Sequence, residues 1–75
     1  MKILAFGQIA EIMGTSEMNI SDINTLEELN SRLYELFPIL SSTNYALAVN
    51  QTIMQTNVEL KKEDIVALLP PFSGG

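Results

Sequence analysis

Only one stretch of this chain can hold a long helix, and it lies near the middle, with strand-length segments on either side. Thr25-Leu26-Glu27-Glu28 is a capping box: the Thr25 hydroxyl can accept from the third helical amide while the Glu28 carboxylate reaches back to the cap. From there Leu26, Leu29, Leu33, Leu36 and Phe37 recur at helical spacing, one apolar stripe set against Glu27, Glu28, Ser31, Arg32 and Glu35. Pro38 stops the run, so the spacing predicts a helix over residues 25–37.

A lone helix needs a partner surface for its stripe, and the flanking segments read as a sheet. Residues 2–6 (Lys-Ile-Leu-Ala-Phe) form a short apolar run bounded by Gly7. Apolar side chains fall on both of its faces, the pattern of a strand inside a sheet. Ile9, Ile12 and Met13 predict one short helical turn over residues 8–13, broken at Gly14. Met18 and Ile20 alternate with Glu17 and Asn19, which reads as a half-buried, peripheral antiparallel strand over 16–20. Beyond the helix, residues 38–44 are rich in Ser, Thr and Asn and read as a surface connection. Residues 45–49 (Tyr-Ala-Leu-Ala-Val) read as a second buried strand, with Asn50-Gln51-Thr52 turning into a short strand around Ile53 and Met54. Residues 59–64 are polar and turn the chain again. Residues 65–69 (Ile-Val-Ala-Leu-Leu) are the most continuous apolar strand, ended by Pro70 and Pro71, which cannot donate to a ladder. The expected class is α+β, one main helix across one face of a mixed four- to five-stranded sheet. A single domain over residues 1–71 then carries a projecting tail, 72–75.

Size and charge narrow the function. At 75 residues there is room for one modest core, and a stability of about 4 to 11 kcal/mol leaves little to support a deep, strained active site. A free-standing enzyme is therefore disfavoured. The net charge is −5, and the four cations, Lys2, Arg32, Lys61 and Lys62, are scattered apart from the one adjacent pair, Lys61-Lys62. Nucleic acid is not an expected partner, because that affinity rests on grouped Lys and Arg. Cys and His are both absent, which removes disulfides, thiolates, the usual zinc ligands and the usual acid/base residue. No secretory or membrane-spanning segment is expected, so the expected compartment is the cytoplasm.

Side-chain chemistry is sparse. Glu27 and Glu28 point about 100° apart on a helix and cannot work as an acid/base pair. Glu59, Glu63 and Asp64 lack the loop pattern of a calcium site, and no metal is expected. Ser73, Tyr34 and Tyr45 have no basic neighbour to activate them. Met13, Met18 and Met54 read as gap-fillers in a core. What remains is the tail. A core strand, a stiff Pro70-Pro71 spacer and then Phe72-Ser73-Gly74-Gly75 describe a rigid base with a tip free of side chains, able to enter a narrow channel and present its α-carboxylate there.

These features resemble a known family. A ubiquitin-like, β-grasp layout of this length ending in Gly-Gly resembles the sulfur-carrier proteins. Pro70-Pro71-Phe72-Ser73-Gly74-Gly75 is similar to the ending of the small subunits of molybdopterin synthase, as are Ala48-Val49-Asn50-Gln51, Asp64-Ile65-Val66-Ala67-Leu68 and the opening strand with Phe6 and Gln8. The resemblance covers essentially the whole chain. Two positions depart from it: Glu63 stands where a Gly is usual before the Asp, and Ile65 replaces a usual acid.

The resemblance implies a carrier rather than an enzyme in its own right. A ubiquitin-activating-like adenylating enzyme would use ATP to convert the Gly75 carboxylate to an acyl adenylate, and a sulfur donor would turn it into a thiocarboxylate. Ser73 and Gly74 would thread into the large synthase subunit, where the sulfur attacks cyclic pyranopterin monophosphate and builds the dithiolene of molybdopterin. Docking would use an apolar patch of Phe6, Ile53, Leu69 and Phe72 in an assembly of two small and two large subunits. No bound cofactor, membrane or nucleic acid enters this scheme. Two further readings share the tail: a thiamine-pathway sulfur carrier, and a ubiquitin-like modifier conjugated through Gly75.

Overall fold

The computed structural model describes residues 1–71. Its elements are β1 (Lys2–Ala5), α1 (Gly7–Met13), β2 (Glu17–Asn19), α2 (Leu26–Leu36), a 3-10 helix (Pro38–Ser42), β3 (Ala46–Val49), β4 (Thr52–Met54) and β5 (Ile65–Leu69). The five strands form one sheet in the order β2-β1-β5-β3-β4. β1 and β5 are parallel, whereas β1–β2, β3–β5 and β3–β4 are antiparallel. It follows that β2 and β3 run in the same direction on either side of the central pair. The segment carrying α2 crosses between them, as parallel strands require.

Helix α2 starts where its capping box lies. The Glu28 N–H donates to Thr25 Oγ1 at 3.2 Å, and the Thr25 hydroxyl donates to Glu28 Oε1 at 3.4 Å. Two further amides of the first turn are met from afar: Leu26 N–H by the Val58 carbonyl and Glu27 N–H by Asn57 Oδ1 at 2.9 Å. Those bonds tie the helix start to the loop before β5. Phe37 closes the helix by donating to the Leu33 carbonyl at 2.7 Å. The helix thus ends one residue short of the stripe's limit, and Leu36, with nearly half its surface exposed, has left the buried face.

Every second residue of the inner strands faces the helices. Ile3 and Ala5 of β1, Leu47 and Val49 of β3, and Val66 and Leu68 of β5 join Ile9 and Met13 of α1 and Leu26, Leu29 and Leu33 of α2 in one core. Leu40 of the 3-10 helix and the loop residues Ile20, Ile23 and Leu60 complete it. This is the β-grasp arrangement, with the short α1 as a second helix against the sheet.

Residues 38–44 depart from expectation. They are not a plain surface connection: a 3-10 helix spans Pro38–Ser42, and Leu40 within it is fully buried. Pro38 ends α2 yet suits the first turn of the 3-10 helix, because its missing N–H would be unpaired there anyway. Ser41, Ser42 and Thr43 turn their hydroxyls back onto the carbonyls of Pro38 and Ile39. The polar composition therefore serves the tight turn itself while Leu40 plugs the core. Phe6, read as the end of the first strand, is instead the N-cap of α1. Tyr45 precedes β3, and its hydroxyl donates to Asn30 Oδ1 of α2 at 2.7 Å.

Candidate functional site

The face of the sheet turned away from the helices is also apolar, and no element covers it among the described residues. Strand register builds its surface. Leu4 pairs with Ala67, Ala67 with Ala48, and Ala48 with Ile53, which makes one row across four strands. On one side of that row lies Leu69, paired with Ala46, and on the other Ile65, paired with Lys2. Two alanines thus form the floor, and larger side chains stand around them. The result is an open groove of about 560 Å³ lined by Leu4, Phe6, Ala48, Ile53, Ile65, Ala67 and Leu69, with Asn50 and Gln51 at its polar end.

Exposure shows that this is a surface. Phe6 and Ile53 are each 46% exposed and Ile65 is 41% exposed, a grouping of large apolar side chains that scattered surface hydrophobics do not produce. Ala48, only 4% exposed, is covered by its neighbours on this same face and stands outside the core cluster.

Asn50 and Gln51 join β3 to β4 with φ of 50° and 73°, the left-handed pair expected of a two-residue hairpin turn. Asn50 locks this corner to the start of β5. Its Nδ2 donates to Asp64 Oδ1 at 2.9 Å, its Oδ1 accepts from Ile65 N–H at 3.0 Å, and its own N–H reaches the Ile65 carbonyl. Asp64 Oδ2 in turn accepts from Lys61 N–H at 2.8 Å. Those bonds, with the Lys61 amide foremost and Asn50 next, hold the Asp64 carboxyl below its ordinary value of 3.8.

The lowered Asp64 carboxyl makes stability depend on pH. As pH falls, the unfolded chain takes up the Asp64 proton first, so the stabilisation is complete above pH 3.8 and is lost as pH drops through the lower folded value. Asp64→Asn is expected to melt below the wild type at neutral pH, with the gap closing as the solution is acidified past that point. Thermal melts of both proteins across the acid range test this, and a gap that persists at the lowest pH contradicts it.

At the groove's other end the chain leaves the sheet. The Phe6 N–H donates to the Leu68 carbonyl at 3.2 Å, so Phe6 lies beside the last residues of β5. Gly7, with φ +55°, turns β1 into α1 here, and a Cβ added to it would stand 3.1 Å from Pro70 Cγ.

The structure therefore brings together three of the residues singled out from the sequence: Phe6, Ile53 and Leu69 share the groove. Phe72, Ser73, Gly74 and Gly75 lie outside the described residues. Leu4, Ala48, Ala67 and Ile65 also line the groove, and sequence reasoning does not mark them as site residues. Their only signal is the second apolar face of each inner strand. The acidic residues do not assemble into a cation site: Asp64 has both oxygens engaged, and among the described residues no three His, Cys, Asp or Glu side chains converge. Among them, too, no helix is long and apolar enough to cross a membrane.

Comparison with known proteins gives a consistent result. The sequence model of the ThiS family matches residues 3–75. A curated relative from Dictyostelium discoideum, a molybdopterin synthase sulfur carrier subunit, is 35% identical over 99% of this chain and 94% of its own length. A solved complex of subunits 1 and 2 of the molybdopterin-converting factor from Helicobacter pylori contains a chain that superposes with a TM-score of 0.73, at 27% identity, covering 99% of this chain and 96% of that one. The small archaeal modifier protein 1 of Methanosarcina acetivorans shares the fold, with a TM-score of 0.81 at 21% identity, covering 99% of this chain and 94% of its own.

Proposed function

The chain belongs to the ThiS family, and from that premise we propose that it is the sulfur-carrier subunit of a molybdopterin synthase. The observation that carries this reading is the apolar groove on the open sheet face, which ends where β5 runs through Pro70 and Pro71 toward a terminal Gly-Gly. A groove at the root of a narrow tail suits a protein that must dock and insert at once. The Helicobacter chain, solved with a second subunit of its converting factor, supports a large subunit as the partner. The Dictyostelium relative carries the same role in its name.

In this reading the chain supplies a reagent and no acid/base machinery. An adenylating enzyme activates the Gly75 carboxylate: a carboxylate oxygen attacks the α-phosphorus of ATP, and pyrophosphate leaves. Sulfur at the sulfide level, released from a sulfur donor, then attacks the acyl carbon and AMP leaves, which gives a thiocarboxylate. The groove residues Phe6, Ile53 and Leu69, with Phe72 beyond them, dock on the large subunit, while Ser73 and Gly74 pass through a channel too narrow for larger side chains. There the sulfur attacks cyclic pyranopterin monophosphate on the way to molybdopterin, in an assembly of two small and two large subunits. Carrying the sulfur on a tail raises its effective concentration at the acceptor and keeps it out of bulk water. A net charge of −5 favours approach to the basic surface that a phosphorylated substrate needs. The work is cytoplasmic, alongside the ATP-using partner.

The test is reconstitution with adenylating enzyme, ATP and sulfur donor, followed by intact-mass measurement and fragmentation of the terminal peptide. An oxygen-to-sulfur gain confined to Gly75, consumed on adding large subunit and pterin precursor, is the expected result. A sulfur-loaded terminus that the synthase ignores would redirect the reading to the thiamine pathway. Lysine-linked conjugates in place of sulfur would favour a protein modifier.

A further inference from the structure

Two glycines of the described chain adopt left-handed backbone, and only one of them is explained by its secondary structure. Gly14, at φ +74°, ends α1, where a left-handed cap is the usual helix stop, and nothing lies within 4 Å of a Cβ built on it. Gly7, at φ +55°, stands at the start of the same helix, where no left-handed residue is called for. What it has instead is a neighbour: the Pro70 ring, 3.1 Å from the position of its missing Cβ.

We propose that Gly7 is a positioning residue for sulfur delivery: its lack of a side chain lets the Pro70 ring seat against the β1–α1 turn, and that contact sets the direction in which the tail leaves the sheet. The inference rests on the carrier reading above. Three successive constraints act at this point. The Phe6 N–H to Leu68 carbonyl bond holds β5 to the turn, the Pro70 ring rests on Gly7, and proline itself fixes the backbone angle at 70 and again at 71. A Cβ at position 7 would crowd Pro70 Cγ, and the ring must give by a few tenths of an ångström, through its pucker or its backbone, so that it no longer rests on the turn as it does against Gly7. From residue 70 to the tip is five residues, about 17 Å when extended. The direction set at the root therefore bears on where the tail can deliver its sulfur.

Gly7→Asn separates the contact from backbone strain, since Asn accepts a left-handed φ better than other side chains. Its affinity for the large subunit, measured by calorimetry, is expected to stay within about twofold, while single-turnover sulfur transfer at saturating large subunit slows about tenfold. In a Pro70→Ala background, where the ring is gone, the same substitution is expected to cost less than about twofold, because the two residues act as one contact. Wild-type transfer by Gly7→Asn, an equal slowdown in both backgrounds, or a loss of affinity that matches the loss of rate overturns the proposal. Pro70→Ala alone leaves the β1–α1 turn as it is and is expected to slow transfer about fivefold by freeing the exit. An unchanged rate there overturns the proposal even if Gly7→Asn fails to fold. Failure of the carrier reading looks different: the wild type itself then docks and transfers no sulfur.

Discussion

A chain shortened by Gly75, or lengthened by one residue after it, is expected to melt at the temperature of the full chain and to transfer no sulfur. Stability and chemistry are separable because, among the described residues, the core draws on none beyond Leu68, and a glycine at the last position brings no side chain to pack. Chemistry in the carrier reading depends on where the terminal carboxyl stops. One residue more or less moves that point by about 3.4 Å, and misplacement by even 1 Å can cost a reaction on the order of 100-fold. Thermal melts beside single-turnover transfer assays would show the split. Sustained transfer by the shortened chain would remove Gly75 from the mechanism, whatever else remained.

The second large effect is expected at Ala67. It sits at the middle of the groove floor, between Leu4 and Ala48, and its side chain faces away from the core. Ala67→Lys raises the floor and sets an ammonium where docking must exclude water. Its long stem can lie along Leu4 or Leu69 while the charge reaches solvent in the free protein, so the fold is expected to hold. On docking, that charge is stripped of water without a partner, and affinity for the large subunit is expected to fall on the order of 100-fold or more. Calorimetry with purified large subunit measures this directly. Unchanged affinity would mean that the partner binds some other face.

Each part of the molecule is readable from the sequence to the degree that local chemistry determines it. The start of α2 is plain because Thr25 and Glu28 serve the cap by themselves and need nothing from the rest of the chain. Strand β5 is plain because two prolines mark its end. The 3-10 helix is hidden, since its one buried residue, Leu40, sits among Ser and Thr whose turn-forming bonds look like ordinary loop composition. Phe6 is legible as apolar but not as a helix cap, because the boundary depends on Gly7 and on how β1 meets β5. Phe6, Ile53 and Leu69 are reached through family resemblance rather than periodicity. The alanine floor is invisible for a physical reason: in β1, β3 and β5 apolar residues occupy both faces, so alternation does not tell the core side from the groove side. Only register across four strands brings Leu4, Ala67, Ala48 and Ile53 into one line.

The strand that leads to the tail is also the one with the firmest grip on the rest of the sheet. β5 is flanked on both sides, paired with β1 from Lys2↔Ile65 to Ala5↔Leu68 and with β3 from Val49↔Val66 to Ala46↔Leu69. Traction applied along the tail therefore loads two ladders in shear, all rungs together, instead of peeling an edge strand away one bond at a time. In the carrier reading that end is gripped and released by a succession of enzymes, and a tail rooted in β5 is then like a hook set in the middle of a plate: the grip of a partner is expected to yield before the plate does.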